Sequence, residues 1–383
     1  MADVVLLLLR LVLRVLQIKL RLRPSLQGLM KLSKPSASVS EGGAEKSCLP
    51  SYTLSMPLTV QHSDVKKYML AVENSSDSTG GSRSPAGNLS RLEGSFTDPA
   101  HTTLFLAAMA QPASLILLAQ SDCPVQPLGA VNVRNRFELL NRNLGQQVIN
   151  AACRSESMPY PSEVRARFLP VTRIVKRGIE VDVSVSVVAL PRGDAKGEIE
   201  MFRQVFTILE FVRWSKIDMS DSRTTAETIH TKDSERVGAN HPDAVPGDAR
   251  NDARALCRMG AQDPRLWAAL CRDYNPIHHL ALAARLAGFA GKIAHGNHVV
   301  ARVFSELQGQ RPQWTSPDDK TSGSLVMEVA FRKPVVVPCV LQIQLHTPIF
   351  ASNEPHPLTQ STRTTICKDD KVFIEVFLKS YPA

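Results

Sequence analysis

Apolar runs separated by polar stretches occur in the same order in both halves of the chain. In the first half, Thr103–Gln120 is apolar and as long as a core helix, although Pro112 predicts a break or kink within it. The runs that follow are apolar enough, or alternate enough, to predict three strands: Gln147–Arg154, Ile174–Leu190 and Met201–Val212. The first half is therefore predicted to be one helix followed by strands.

The second half repeats this order. An apolar helix is predicted over Ile293–Leu307, and the alternating runs after it predict three strands: Ser324–Phe331, Val335–Thr347 and Thr364–Ser380. A helix followed by antiparallel strands, occurring twice, predicts an α+β chain with two copies of a sheet wrapped around a helix. The predicted boundaries are an N-terminal extension at 1–50, a first copy at 51–214, a linker at 215–252 without hydrophobic periodicity, and a second copy at 253–383.

Composition fits two globular domains and argues against a nucleic-acid partner. The 383 residues are 43% hydrophobic and 21% charged, with a formal net charge of +9. Residues 1–35 carry seven basic side chains against one acid, a net of +6, so the rest of the chain is only mildly basic. Aromatic residues make up 5%, too few for base-stacking platforms, and the seven cysteines form no Cys-x-x-Cys pair. We therefore expect reduced thiols and no nucleic-acid binding.

The N-terminal extension has the pattern of a basic amphipathic helix. Val4–Leu9 is apolar, but Arg10 interrupts it well before the roughly 20 residues of a membrane span. Arg10, Arg14, Gln17 and Arg21 then recur at helical spacing, with almost no acidic residues. This pattern predicts mitochondrial targeting. Contact with a membrane surface, a cytoplasmic location and an incorrect start site are the alternatives.

One carboxylate and one imidazole lie five residues apart in Asp273-Tyr274-Asn275-Pro276-Ile277-His278. Proline fixes its own φ and moves the preceding residue out of the α region, so Asp273 and His278 cannot share one regular helix. The loop between them could bring both side chains into one pocket, where they would suit proton transfer near neutral pH. A plain helix-capping turn is the alternative.

The motif and the residues after it resemble the MaoC-like, or hydratase 2, family. An Asp-x-Asn-Pro-x-His motif is followed by the helical segment Leu280–Gly288, and then by Ile293-Ala294-His295-Gly296 directly before the second helix. The resemblance covers residues 271–307 in order and spacing. It departs from the family at Arg272, where glycine is common, and at Asn297-His298, which replace an apolar pair.

The resemblance implies a fold and a reaction. The fold is a pair of hotdog domains. The segment Leu128–Phe137 of the first copy looks like the non-catalytic half of double proteins, which provides either a cavity for an acyl tail or a structural partner. The reaction is reversible hydration of trans-2-enoyl thioesters to (3R)-3-hydroxyacyl thioesters in fatty-acid metabolism. Asp273 and His278 would act through one water, without cofactor or metal, and Asn275 would orient the loop or the water.

Further residues can be assigned expected roles. Gly296 is expected to stabilise enolate charge, because a helix N-terminus presents unpaired N–H groups and glycine allows close backbone approach. An ordinary helix start is the alternative. Lys292, Arg332 and Lys333 could meet the phosphates of coenzyme A or of a carrier protein's pantetheine, although exposed basic residues are usually only solvated. His295 is expected to pack or to fix the loop.

Two rival functions stay open on sequence alone. The first is a metal site formed by Asp273 and four imidazoles (His278, His279, His295 and His298), although no helical His-x-x-x-His spacing links them. The second is a catalytically inactive hotdog protein that binds acyl thioesters. The expected partner is an acyl-CoA or acyl-carrier-protein substrate. The two copies would pair within the chain, and a further homodimer could form.

Overall fold

The computed structural model describes most of the two predicted copies. The described residues are 49–73, 96, 98–126, 130–191, 197–212, 253–307, 323–346 and 360–381. The predicted N-terminal extension up to residue 48 and the predicted linker at 215–252 lie outside these residues, so the predictions made for them stay predictions.

Each half begins with one strand, continues with helices and ends with four further strands, and the first half has an additional helix after the first of these four strands. The first half contains β1 (Leu54–Pro57), α1 (His62–Val72), α2 (Pro99–Leu118), β2 (Ala130–Leu139), α3 (Arg142–Cys153), β3 (Ser162–Val175), β4 (Gly178–Ala189) and β5 (Ile199–Phe211). The second half contains β6 (Ala253–Met259), α4 (Asp263–Cys271), α5 (Pro276–His279), α6 (Ala281–Leu286), α7 (Gly296–Glu306), β7 (Leu325–Phe331), β8 (Cys339–His346), β9 (Gln360–Lys368) and β10 (Lys371–Ser380).

These ten strands form one continuous antiparallel sheet. Their order is β1-β3-β4-β5-β2-β7-β10-β9-β8-β6. Read from either edge toward the centre, the two halves have the same order, because β1-β3-β4-β5-β2 corresponds to β6-β8-β9-β10-β7. The halves meet where β2 pairs with β7, from Arg134 opposite Ala330 to Leu139 opposite Leu325. The prediction of two hotdog domains in one chain is confirmed.

Helix α2 is the core helix of the first half. Its side chains from Leu104 to Ala107 are completely buried on all sides, which explains its uniformly apolar sequence. It is long and apolar enough to cross a membrane, but 72% of its most apolar window is buried inside the protein. Of the break or kink predicted at Pro112, the break is wrong, since the helix continues through this residue, and the kink stays a prediction. Proline removes one intrahelical hydrogen bond, and the helix packs against strands of the sheet.

Two other element predictions are corrected. Gln147–Arg154, predicted as a strand, belongs to α3, where the Asn141 side chain accepts a hydrogen bond from the Leu144 N–H at 2.9 Å and caps the helix. Thr364–Ser380, predicted as one strand, is the β9–β10 hairpin. Asp369 and Asp370 both have positive φ (50° and 57°), the conformation of a tight hairpin turn.

Candidate active site

The Asp-x-Asn-Pro-x-His motif spans the gap between two helices. Helix α4 ends at Cys271, and the next residue, Arg272, adopts the left-handed conformation (φ 60°) and donates its N–H to Ala268 O. Pro276 begins α5, and the Asn275 side chain caps it by accepting from the Ile277 N–H at 3.3 Å. Asp273 therefore lies after one helix and His278 within the next, as the sequence predicted.

The hydrogen bonds of His278 fix which ring nitrogen can act as a base. Its Nδ1–H donates to Ile293 O at 2.8 Å, and since a carbonyl can only accept, the basic nitrogen is Nε2. Burial lowers the pKa of His278, and the charge of Asp273 opposes this effect. Asp273 itself is oriented by the Asn275 N–H, which donates to Asp273 Oδ1 at 3.2 Å. The pair therefore combines a carboxylate with an imidazole that is neutral at pH 7.

His295 is part of this cluster. Its ring stacks on His278 with centroids 3.7 Å apart, and its Nε2–H donates to the Asp273 carbonyl at 3.2 Å. The same nitrogen lies 3.8 Å from Asp273 Oδ2. Burial and then the charge of His278 lower the pKa of His295 well below its ordinary value. His295 therefore holds both members of the pair in place.

The cluster has room for one small bridging group. One carboxylate oxygen of Asp273 and one ring nitrogen each of His278 and His295 all lie within 4.8 Å of one another. A water held between them could exchange protons with both sides. Three such ligand atoms could also hold a metal ion, so the metal alternative keeps a geometric basis.

Gly296 begins α7 at the edge of this cluster. A Cβ at this position would lie 2.3 Å from the ring of Phe331, so any other residue would require the ring to move. Gly296 and Asn297 line the cavity, where the first N–H groups of a helix are without intrahelical partners. The close packing on Phe331 therefore requires glycine at this position, and the sequence did not indicate this requirement.

A cavity of about 250 Å³ connects the two halves of the molecule. The wall from the second half contains the cluster of Asp273, His278 and His295, with Gly296 at its edge. Its first-half wall is largely apolar and is formed by residues of α2, β2 and β5: Leu115, Leu118, Ala130, Val131, Phe206, Ile208 and Phe211. This arrangement supports the expectation that the first half provides space for an acyl tail.

The three basic residues predicted to meet phosphates lie in different places. Arg332 and Lys333 line the cavity, whereas Lys292 is not among the lining residues. The side chain of Arg332 is 60% exposed and pairs with Glu375 at 2.7 Å. The Lys292 ammonium donates to the Ala261 carbonyl at 2.6 Å. Arg332 and Lys333 are therefore in reach of a ligand in the cavity, and Lys292 supports a loop.

The departure from the family pattern at Asn297-His298 is explained by contacts with the first half. His298 is completely buried, donates Nε2–H to Ala71 O at 2.7 Å and stacks on Trp267 at 5.1 Å. Asn297 Oδ1 accepts from Asn135 Nδ2 at 2.6 Å. Both contacts join residues more than 150 positions apart in the sequence. Local patterns carry no signal for such contacts.

Comparison with known proteins agrees with the motif and the fold. Residues 240–347 match the family model of the MaoC like domain. The second half of the chain therefore contains a MaoC-like domain. A curated relative of this chain is 3-hydroxyacyl-thioester dehydratase X of Mycobacterium tuberculosis, 22% identical over 231 residues. That match covers 60% of this chain and 64% of the relative, less than two thirds of its length.

Solved structures share the fold of this chain. The crystal structure of HtdX from Mycobacterium tuberculosis has a TM-score of 0.51 at 18% identity, covering 87% of this chain and 100% of that one. A MaoC-like dehydratase from Phytophthora capsici has a TM-score of 0.52 at 12% identity, covering 88% and 97%. At these identities the likeness establishes the fold, and the chemistry has to be argued from the site.

Proposed function

We propose that this MaoC-like protein is a hydro-lyase that adds water reversibly to trans-2-enoyl thioesters, giving (3R)-3-hydroxyacyl thioesters. The observation that carries the proposal is the pair of half-buried Asp273 and buried, neutral His278, within 4.8 Å of each other on the wall of a cavity that continues between apolar residues. The curated relative is named for dehydration of 3-hydroxyacyl thioesters, the same reaction in reverse.

In the proposed reaction, water bridges Asp273 and His278 while the enoyl thioester lies in the cavity. The water oxygen bonds to C3, one water proton is taken by the pair, and the C2–C3 π electrons move toward the thioester oxygen. A proton from the pair then bonds to C2, so that the elements of water are added and the pair is restored.

The negative charge on the thioester oxygen needs donors that are already in position. Gly296 and Asn297, in the first turn of α7, line the cavity, and their N–H groups are at the positive end of the helix dipole, where they would stabilise this charge. Asn275 holds the loop by capping α5. Arg332 and Lys333 would meet the phosphates of coenzyme A or of a carrier protein's pantetheine.

The reaction is tested by following loss of enoyl absorbance with crotonyl-CoA and longer enoyl-CoA substrates. We expect Asp273→Asn and His278→Gln each to lower kcat by about 100-fold or more, since each removes a proton-transfer group. Matched controls are Asp122→Asn and His62→Gln, which make the same chemical changes at residues that do not line the cavity. Wild-type activity should survive treatment with a chelator.

Three results would contradict the proposal. Unchanged turnover in both site variants would remove the pair from the chemistry. Loss of wild-type activity with the chelator, restored by added metal, would favour the metal alternative at Asp273, His278 and His295. Saturable binding of enoyl-CoA without turnover by the wild type would favour a non-catalytic thioester-binding protein.

We also propose that residues 1–50 direct the protein to mitochondria, on the basis of their basic amphipathic pattern. A fluorescent protein fused after residue 50 should then co-localise with a mitochondrial marker, and replacing Arg10, Arg14 and Arg21 by glutamate should abolish this. A plasma-membrane or cytoplasmic signal from the unaltered fusion would contradict the proposal.

A further inference from the structure

Three asparagine side chains form a hydrogen-bonded row that ends in the cavity. Asn132 Nδ2 donates to Asn135 Oδ1 at 2.8 Å, and Asn135 Nδ2 donates to Asn297 Oδ1 at 2.6 Å. Asn135 is 1% exposed, whereas Asn132 and Asn297 line the cavity. The row crosses from β2 of the first half to α7 of the second.

A β-bulge makes this row possible. In a regular strand, residues three apart point to opposite faces, so Asn132 and Asn135 would not meet. Here Asn132 lies opposite Ile208 and Arg134 opposite Thr207, which leaves Val133 as an extra residue in β2. One extra residue brings Asn132 and Asn135 to the same side. The bulge therefore places a polar row where regular alternation would not.

The row also fixes which end of the Asn297 amide is left for a ligand. Oδ1 of Asn297 is occupied by Asn135, so the amide group left to face the cavity is Nδ2, a hydrogen-bond donor. Asn297 directly follows Gly296, where the thioester oxygen would lie, and contacts β2, whose residues Ala130–Val133 line the way into the first half. In the proposed binding mode, with the thioester oxygen at Gly296, this donor would lie close to the acyl carbons next to the reacting ones.

We propose that Asn297 makes this site selective for acyl chains that carry an oxygen acceptor, such as a hydroxyl group, close to the reacting carbons. The inference rests on the proposed function and deepens it by naming a substrate class. A purely apolar chain would remove water from the Asn297 amide without replacing its hydrogen bond, and this costs binding energy. An oxygen on the chain would restore that bond. Relatives with an apolar residue at the position of Asn297 would lack this selectivity between acyl chains.

The test compares thioesters that differ only in a methyl group replaced by a hydroxyl group. One pair is pent-2-enoyl-CoA and 4-hydroxybut-2-enoyl-CoA, and a second is hex-2-enoyl-CoA and 5-hydroxypent-2-enoyl-CoA. In at least one pair, we expect the wild type to favour the hydroxylated member by about 10- to 100-fold in kcat/KM. Asn297→Leu should lose this preference, measured as the ratio of kcat/KM for the two members of each pair.

A second variant and a control distinguish a loss of the substrate preference from a general loss of structure. Asn297→Asp is nearly isosteric and can still accept from Asn135, but it offers no amide donor, so it should lose the preference as well. The control is Asn150→Leu, which makes the same chemical change on α3, outside the cavity. There the Asn150 side chain accepts a hydrogen bond from Gln146 at 2.9 Å. This variant should retain the wild-type preference.

Binding of the corresponding saturated thioesters, pentanoyl-CoA and 4-hydroxybutanoyl-CoA with their longer homologues, is measured by calorimetry and does not depend on turnover. Equal affinity within both pairs, or a preference that survives in Asn297→Leu, would overturn the inference even if the enzyme is an active hydratase. Failure of the proposed function is recognised separately, because it would abolish turnover of all four enoyl substrates.

Discussion

Arg272 has a backbone conformation that its side chain disfavours. It follows α4 with a φ of 60°, a region where a Cβ is too close to the following carbonyl. Glycine adopts this conformation without that cost, which gives a physical reason for the glycine common at this position in MaoC-like proteins. Its side chain lines the cavity, so arginine here combines backbone strain with a positive charge near the ligand.

Replacing Arg272 separates these two contributions. Arg272→Gly should be more stable to urea than Arg272→Ala by about 1 kcal/mol, because only alanine keeps the Cβ in the left-handed region. Both variants lose the guanidinium and should raise KM for thioesters to a similar extent. Equal free energies of unfolding for the two variants would contradict the argument from strain.

The protonation of His278 sets the expected pH dependence of activity. Its neutral form is the one that can act as a base, and burial lowers its pKa below the ordinary 6.5. Activity should therefore be retained above pH 6.5 and fall as the pH drops through the lower folded-state value. The measurement is kcat/KM against pH, with activity recovered on return to pH 7. A midpoint above 6.5 would mean that the charge of Asp273 outweighs burial.

At the scale of elements, α7 connects the site to the first half. His298 and Arg302 are four residues apart and so share one face of the helix. His298 donates to Ala71 O in the last turn of α1, and Arg302 donates to Glu73 O just beyond it and to Arg258 O at 2.9 Å. The carbonyls at the end of a helix lack intrahelical partners, so these donors satisfy groups that would otherwise be buried unpaired. The helix that carries Gly296 is thereby fixed against α1.

The His298 contact predicts a loss of stability in acid. Burial lowers the pKa of His298 to about 4, against 6.5 in the unfolded chain. The contribution of His298 to the free energy of unfolding is therefore fully present above pH 6.5. It is lost as the pH drops from 6.5 to 4, because in this range the unfolded state binds a proton that the folded state excludes. The loss amounts to about 3 kcal/mol from this residue.

Urea unfolding at pH 7 and at pH 5 measures this contribution. His298→Gln can still donate to Ala71 O but does not titrate, so its stability should depend less on pH than that of the wild type. His62→Gln, at the start of α1, is the control and should keep the wild-type dependence. The same dependence in His298→Gln as in the wild type would assign the acid sensitivity to other groups.

At the scale of the whole molecule, the two halves depend on the β2–β7 pairing. Buried residues lie opposite each other across it, with Phe137 facing Met327 and Leu139 facing Leu325. On the outer face, Arg136 Nη1 pairs with Glu328 Oε1 at 2.7 Å. Without its partner, each half would expose an apolar strand edge with unpaired backbone groups.

A separate second half should therefore not behave as the intact chain does. We expect residues 240–383 alone to aggregate or to self-associate through β7 in size-exclusion chromatography, and to lack activity because the first-half wall of the cavity is missing. Co-expression with residues 1–239 should restore a soluble complex. A monomeric and active fragment would show that the pairing is dispensable.

How much the sequence predicted depends on the range of the interaction. The Asp273-to-His278 loop was predicted correctly because proline constrains only itself and its neighbour, and such local constraints hold in any fold. The strand β4 was recognised from its own valine alternation. In contrast, α3 was misread as a strand, because Val148 and Ile149 favour strands and only the cap at Asn141 and the packing of one helix face decide otherwise.

The sequence by itself determined the helix-and-strand repeat, the acid and imidazole separated by a turn, and the glycine that begins α7. Only the tertiary structure decided that the two sheets join at β2 and β7, that His298 binds α1, and that Asn132, Asn135 and Asn297 form one row. The physical reason is that the first set follows from φ, ψ and side-chain preferences of near neighbours. The second set depends on strand register, one bulge and buried hydrogen bonds between residues that are distant in the chain.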